Sequence, residues 1–269
     1  MAEYRNFREK TFEELDREVE EAVKQDRNRR MLGWLILLLI WIFMCPDMFL
    51  YWFRFATPHF PKYKTEEIID VAKEPVQIDI TQNKGKYFKY KTLENRGSYA
   101  MEKMAKYSIS GKVVAKNYFF WGNYLPNGDR PFQSMALIDV GLVWGDMADK
   151  DILSYYKFVS AKDARGARGL YPRLKHGVRY VPFSWSEAQT MFSHTHIIPA
   201  SHSIMSALIY THKNQPVKLD GYLVDIYING EPVAMTSLSR KDTNATARGG
   251  GACEVMYVER VQVGNKVYE

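Results

Sequence analysis

Apolar residues follow three different rhythms along the chain. From Thr11 to Ala22, Phe12, Leu15, Val19 and Ala22 recur at steps of three and four, the stripe of an amphipathic helix. Thr11 and Glu14 stand at capping-box spacing at its start. From Met31 to Phe53 the rhythm disappears, because Met31 to Met44 hold no charged or strongly polar side chain. About 20 such residues cross a hydrocarbon core as a helix, so 31–53 is predicted to be one membrane span. Only Cys45-Pro46-Asp47 interrupts it, which places Asp47 near headgroups or against a protein partner.

Beyond Phe53 the period changes to two. Val76 to Ile80, Tyr87 to Thr92 and Tyr107 to Ala115 alternate as strands, with Gly111 a candidate bulge, and Met135 to Trp144 is a longer apolar run. Asp149 to Val159 carries Ile152, Leu153, Tyr156 and Val159 at helical spacing, and Val178 to Trp185 returns to strand. Ser201 can cap a short helix bearing Ile204, Met205, Leu208 and Ile209. Asn229-Gly230, between Val217 to Ile228 and Val233 to Leu238, predicts a hairpin with a type I′ turn, and Glu254 to Val263 predicts a closing strand. The pattern therefore predicts an α+β chain: an amphipathic helix in 1–30, a transmembrane helix in 31–53, a Pro-bearing stalk in 54–75 and a β-rich domain in 76–269. That domain is expected to be a small barrel of OB or SH3-like type with two short helices.

Charge adds orientation. Lys24, Arg27, Arg29 and Arg30 crowd the N-terminal flank of the span, whereas Arg54, Lys62 and Lys64 are spread along the other. The positive-inside rule then puts the N-terminus in the cytoplasm and the C-terminal domain in the periplasm of a bacterial inner membrane. Residues 55–269 hold 28 basic and 21 acidic side chains, too mild an excess to point to nucleic acid as a partner. Arg165 to His176 reads as a Gly- and Arg-rich solvated loop. Two cysteines, Cys45 in the span and Cys253 near the end, imply no intramolecular disulfide framework.

Candidate chemistry is confined to a few side chains. On a strand His194 and His196 share a face and could meet one metal, with His202 or a carboxylate as third ligand. An isolated His-x-His pair more often serves hydrogen bonding, so no metal or other cofactor is expected, and His196 is expected to be tied to backbone near the Ser201 helix. Cys253, preceded by Gly249-Gly250-Gly251-Ala252, could act as a nucleophile with His196 as base, but reads more simply as a small residue entering a buried strand. The rhythm of Val217 to Asp225 resembles staphylococcal-nuclease-like barrels, without their set of arginines and carboxylates.

One broader resemblance rests on the span together with His196-Ile-Ile-Pro-Ala200, Gly221-Tyr-Leu-Val-Asp225, Ser237-Leu-Ser-Arg240-Lys-Asp242-Thr243 and Gly251-Ala-Cys-Glu254. Over about the last 160 residues the chain is similar to a group of bacterial single-span envelope proteins. In that group Asp-Thr runs almost directly into Gly-Asn-Gly-Ala-Cys-Glu, whereas Asn244 to Gly249 intervenes here. The resemblance implies an envelope protein and brings no activity with it. The reading that follows is a non-enzymatic inner-membrane subunit of an envelope assembly, of a secretion or conjugation-channel kind. It would bind membrane or periplasmic proteins, with Phe12, Leu15, Val19, Ala22 and Asp47 as candidate contacts and self-association through the first helix. The rival reading is a membrane-anchored hydrolase or nuclease-like enzyme using His194, His196, Arg240 and Asp242.

Overall fold

The computed structural model describes residues 60–80, 86–91, 98–118, 135–162, 168–238 and 253–269, and in the N-terminal part residues 21, 24, 28, 29, 31–36, 38 and 39. The chain divides into two compact units, Met1–Arg54 and Phe55–Glu269. In the first, every described position is helical, and Met31, Leu32 and Trp34 are exposed. Phe12, Leu15, Val19, Ala22, Asp47 and most of the predicted span lie outside the described residues. Among the described residues no helix is long and apolar enough to cross a membrane.

The second unit is strand-rich and mixed α+β. In chain order its strands are β1 (Tyr63–Lys64), β2 (Val76–Asp79), β3 (Tyr87–Lys91), β4 (Ser98–Tyr118), β5 (Ile138–Val143), β6 (Tyr156–Lys162), β7 (Arg168–Leu174), β8 (Phe192–Pro199), β9 (Pro216–Ile228), β10 (Glu231–Ala234), β11 (Glu254–Val263) and β12 (Lys266–Tyr268). The helices are α1 (Lys150–Tyr155), α2 (Trp185–Thr190) and α3 (His202–Tyr210).

Five strands close on themselves. β4 pairs with β5, β5 with β8, β8 with β11, β11 with β9, and β9 again with β4. Only β8–β11 is parallel. Lateral neighbours in a sheet share a face, so Ile138, Ile197, Met256, Leu223 and Ala105 form one belt of fully buried side chains. On the other face Met101, Val224, Ile226, Val255 and Ile198 pack with Tyr90 and Phe88 of β3, which is not one of the ring strands. Val114, Val143 and Phe192 likewise pack under Tyr156, Leu170 and Ala188, from β6, β7 and α2. Elements outside the ring can cover only its outer face, so the first belt is the interior.

The chain gets from β8 to β9 through α3, capped by Ser201, whose Oγ accepts from the Ile204 amide at 3.2 Å. Its other end is closed by Lys116 of β4, whose Nζ donates to the carbonyls of Leu208, Ile209 and Thr211 at 3.1, 2.8 and 2.7 Å. A cation there also suits the negative end of the helix dipole. Burial pulls the Lys116 ammonium down to about 8. Lys116→Met keeps the aliphatic stem and removes all three donors. We expect it to lower the free energy of unfolding by roughly 1.5–3 kcal/mol, the range for hydrogen bonds to a charged group, in urea melts near pH 7.

Several sequence expectations hold. Asn229 and Gly230 have φ of 52° and 86°, the left-handed pair that a type I′ turn requires. The closing strand and the Ser201 helix lie where periodicity placed them. Elsewhere tertiary packing changes the picture. The helical spacing of 149–159 ends at Tyr155, because Tyr156 begins β6 and turns inward onto the outer cluster. Most of the predicted Arg-rich loop is strand β7, paired with β6 and anchored by buried Leu170. Predicted strand 178–185 is not a strand. Ser184 and Glu187 instead form a reciprocal capping box that starts α2, so the domain has three short α-helices among the described residues. Gly111 is not a bulge, and the β4 irregularities fall between Lys103 and Ala105 and between Val113 and Ala115. The described part of the predicted stalk is stitched to the domain: the Lys62 amide donates to Val267 at 2.7 Å and the Gly145 amide to Val71 at 2.9 Å.

Candidate functional site

Asp139, His194, His196 and Cys253 meet on the outer face of the ring. The meeting follows from register. Asp139 lies opposite His196 on antiparallel β5 and β8, and His194 is two residues away on the same face. Glu254 pairs with Thr195 in the parallel β8–β11 pair, so the residue before it, Cys253, is delivered beside His194. The Cys253 backbone is fixed in turn, since its carbonyl accepts from the Ser237 amide at 3.1 Å. Next to it, Thr236 donates its amide to Asp225 at 2.8 Å and accepts from the Val255 amide at 3.1 Å.

Asp139 is fully buried and uses both carboxylate oxygens on the histidines. His194 Nε2 donates to Oδ2 at 2.9 Å, and His196 Nδ1 donates to Oδ1 in a close hydrogen bond. An ionised carboxylate can only accept, so the protons sit on Nε2 of His194 and Nδ1 of His196. That leaves Nδ1 of His194 facing Cys253 Sγ at 3.1 Å. The two imidazoles stand edge to face with centroids 4.5 Å apart. Burial alone would lower the His194 pKa, but the hydrogen bonds to Asp139 and Cys253 outweigh it and raise the group to about 9. Asp139 shows the mirror effect: burial favours its neutral form, and the histidine pair overcomes this and holds its pKa below the usual carboxylate value.

The reverse face of β8 is also polar. Ser193 donates to Glu254 at 2.8 Å and lies 2.5 Å from the Thr195 hydroxyl, all three inside the ring. One strand thus carries a hydroxyl–carboxylate set inward and an imidazole–carboxylate–thiol set outward.

Two chemistries are open to the outward set. Cys253, His194 and Asp139 form a nucleophile–base–orienter line. Alternatively, one ligand atom each from His194, His196 and Cys253, all within 4.8 Å of one another, could hold a metal ion. His196, expected near the start of the Ser201 helix, gives its Nδ1 hydrogen bond to Asp139, and β8 continues as strand through Pro199. His202 lies on the first turn of α3 and does not belong to the three-ligand group. Arg240 and Asp242 lie outside the described residues. The imidazole that meets Cys253 Sγ at hydrogen-bond distance is His194. Asp139 was missed, although a single carboxylate inside the apolar run Met135 to Trp144 is a signal, because a buried charge needs a partner. No family model, curated protein or solved structure matches the chain.

Proposed function

We propose that the protein is a single-span inner-membrane subunit of a bacterial envelope assembly, with its barrel in the periplasm and acting by binding partner proteins. The span, its orientation and the envelope setting rest on the sequence: the apolar stretch 31–53, the basic flank before it and the motif resemblance. The barrel is of OB type. Taken in chain order, β4, β5, β8, β9 and β11 close in the order first, second, third, fifth, fourth, with a helix between third and fourth. That five-stranded Greek-key ring is a binding scaffold in many settings.

The observation that carries the partner-binding reading is apolar surface on the segment leading into the ring. Ile68 is 88% exposed, and Val76 and Ile78 of β2 are 57% and 55% exposed on one side of a short strand. Among the described residues β2 pairs only with β4, so it also offers backbone groups to an added strand. A catalytic reading through His194, His196, Arg240 and Asp242 finds less support, since the histidines already engage Asp139 and Cys253.

The test places a photo-crosslinking residue at Ile78 in living cells and compares the wild-type surface with Val76→Asp/Ile78→Asp in gentle-detergent purification. A specific adduct with an envelope protein, whose co-purification is lost in the double variant while barrel melting is unchanged, is the expected result. Absence of any adduct, or co-purification indifferent to the two aspartates, sinks the binding surface. An adduct with a cytoplasmic protein overturns the orientation.

A further inference from the structure

We propose that His194, His196 and Cys253 bind one transition-metal ion of the zinc class, with Asp139 as the carboxylate that orients both imidazoles. The fourth coordination position is left to solvent or an exogenous ligand.

Ligand type comes first. Two imidazole nitrogens and one thiolate sulfur suit zinc and cobalt, and the described cluster contains no oxygen-only set of the kind calcium or magnesium would require. Tetrahedral zinc, with bonds of about 2.0–2.1 Å to nitrogen and 2.3 Å to sulfur, holds its ligand atoms roughly 3.3–3.6 Å apart. Here Cys253 Sγ and one ring nitrogen of each histidine lie within 4.8 Å of one another, with His194 Nδ1 and Cys253 Sγ at 3.1 Å.

Proton placement is the second argument. A metal-bound histidine typically donates its other ring N–H to a carboxylate or carbonyl, which fixes the tautomer and the ring plane. Asp139 does this for both histidines at once, from the far nitrogen in each case. The coordinating atoms are then Nδ1 of His194 and Nε2 of His196. A nucleophile–base pair accounts for His194 and Cys253 but gives no reason for a second histidine on the same carboxylate. A purely structural pair gives no reason for the thiol.

Charge is the third. On binding, the one proton shared between Cys253 Sγ and His194 Nδ1 is released to solvent, leaving a thiolate and a neutral imidazole to bond the metal. A divalent ion, one thiolate and one Asp139 carboxylate sum to zero, so the buried cluster is neutral when filled. Access is available because Cys253 is only partly buried. Three protein ligands with an open fourth position is the pattern of zinc sites that take a further ligand, not of closed structural ones.

The experiment uses full-length protein in mild detergent, carrying Cys45→Ser so that Cys253 is its one thiol, stripped with chelator and titrated with cobalt(II). Saturation at one cobalt per chain is expected, with tetrahedral visible bands and a near-ultraviolet sulfur-to-cobalt band. Zinc should displace the cobalt and protect Cys253 from iodoacetamide. Cys253→Ser should abolish the sulfur band. His196→Gln should weaken binding at least tenfold, and Asp139→Asn should weaken it about 10–100-fold. Circular dichroism at each step separates lost binding from lost fold. A folded protein with no saturable cobalt binding overturns the proposal. So does cobalt binding that is unchanged in Cys253→Ser or His196→Gln, or alkylation of Cys253 that is indifferent to zinc.

Discussion

In metal-stripped protein, Asp139→Ala is expected to lower the free energy of unfolding by roughly 3–5 kcal/mol, the cost of removing one partner from a buried charge-assisted cluster. The carboxylate is fully buried and each oxygen takes one imidazole N–H. Truncation leaves both N–H donors without their acceptor and the positive charge on His194 no longer neutralised. Asp139→Asn should cost less, roughly 1–3 kcal/mol, because its carbonyl still accepts from one histidine while its amide opposes the other. Denaturant melts should give the order wild type, then Asn, then Ala. Equal midpoints for all three would mean that the cluster does not hold β5 to β8.

The same cluster sets a pH dependence whose sign follows from linkage. His194 titrates near 9 in the folded state and near 6.5 unfolded, so its contribution is complete below about pH 6.5 and fades as pH rises toward 9. Asp139 is shifted down, so its contribution is present above the ordinary aspartate value of about 3.9 and fades as pH falls below it. Stripped protein should therefore be most stable between about pH 4 and 6.5 and lose on the order of 3 kcal/mol between pH 6.5 and 9. Asp139→Asn should flatten the alkaline limb.

How much of this was legible beforehand depended on whether the information was local. The Asn229-Gly230 turn, the Ser201 cap and the strand Glu254–Val263 are written in adjacent residues, and the structure shows them in place. The His194–His196 pair was visible because strand periodicity puts alternate residues on one face. Its partners were not visible. Asp139 is 55 residues from His194 and Cys253 is 59. Only the β5–β8 and β8–β11 registers bring them together. Helical spacing in 149–159 and the basic character of 165–176 misled for one shared reason. Tyr156 and Leu170 are apolar anchors for a cluster outside the ring, and that cluster imposes a hairpin on a segment whose local pattern favoured helix and loop. Ser184 and Glu187 carried a local capping signal that strand-like neighbours obscured.

The ring itself should fail at a position that looks innocuous in the sequence. Gly221 sits mid-way along β9, flanked by Tyr107 of β4 and Val258 of β11, beside the register shift between Val258 and Arg260. A Cβ built there would lie 2.0 Å from the Tyr257 carbonyl oxygen and 3.1 Å from Val258 Cα. Both obstacles are backbone, so no rotamer change relieves them; the strand must move. Glycine in a strand interior often marks such a close approach. Gly221→Ala is therefore expected to cost more than about 4 kcal/mol, enough to leave much of the chain unfolded or insoluble. Gly141→Ala is the comparison. Its added methyl would meet only side-chain atoms of Phe192, Leu170 and Val114 at 3.2–3.5 Å, which can yield by small rotations. Soluble yield and urea midpoints should put Gly141→Ala near wild type and Gly221→Ala far below it. If the two variants melt together, β9 and β11 do not approach as the closed ring requires.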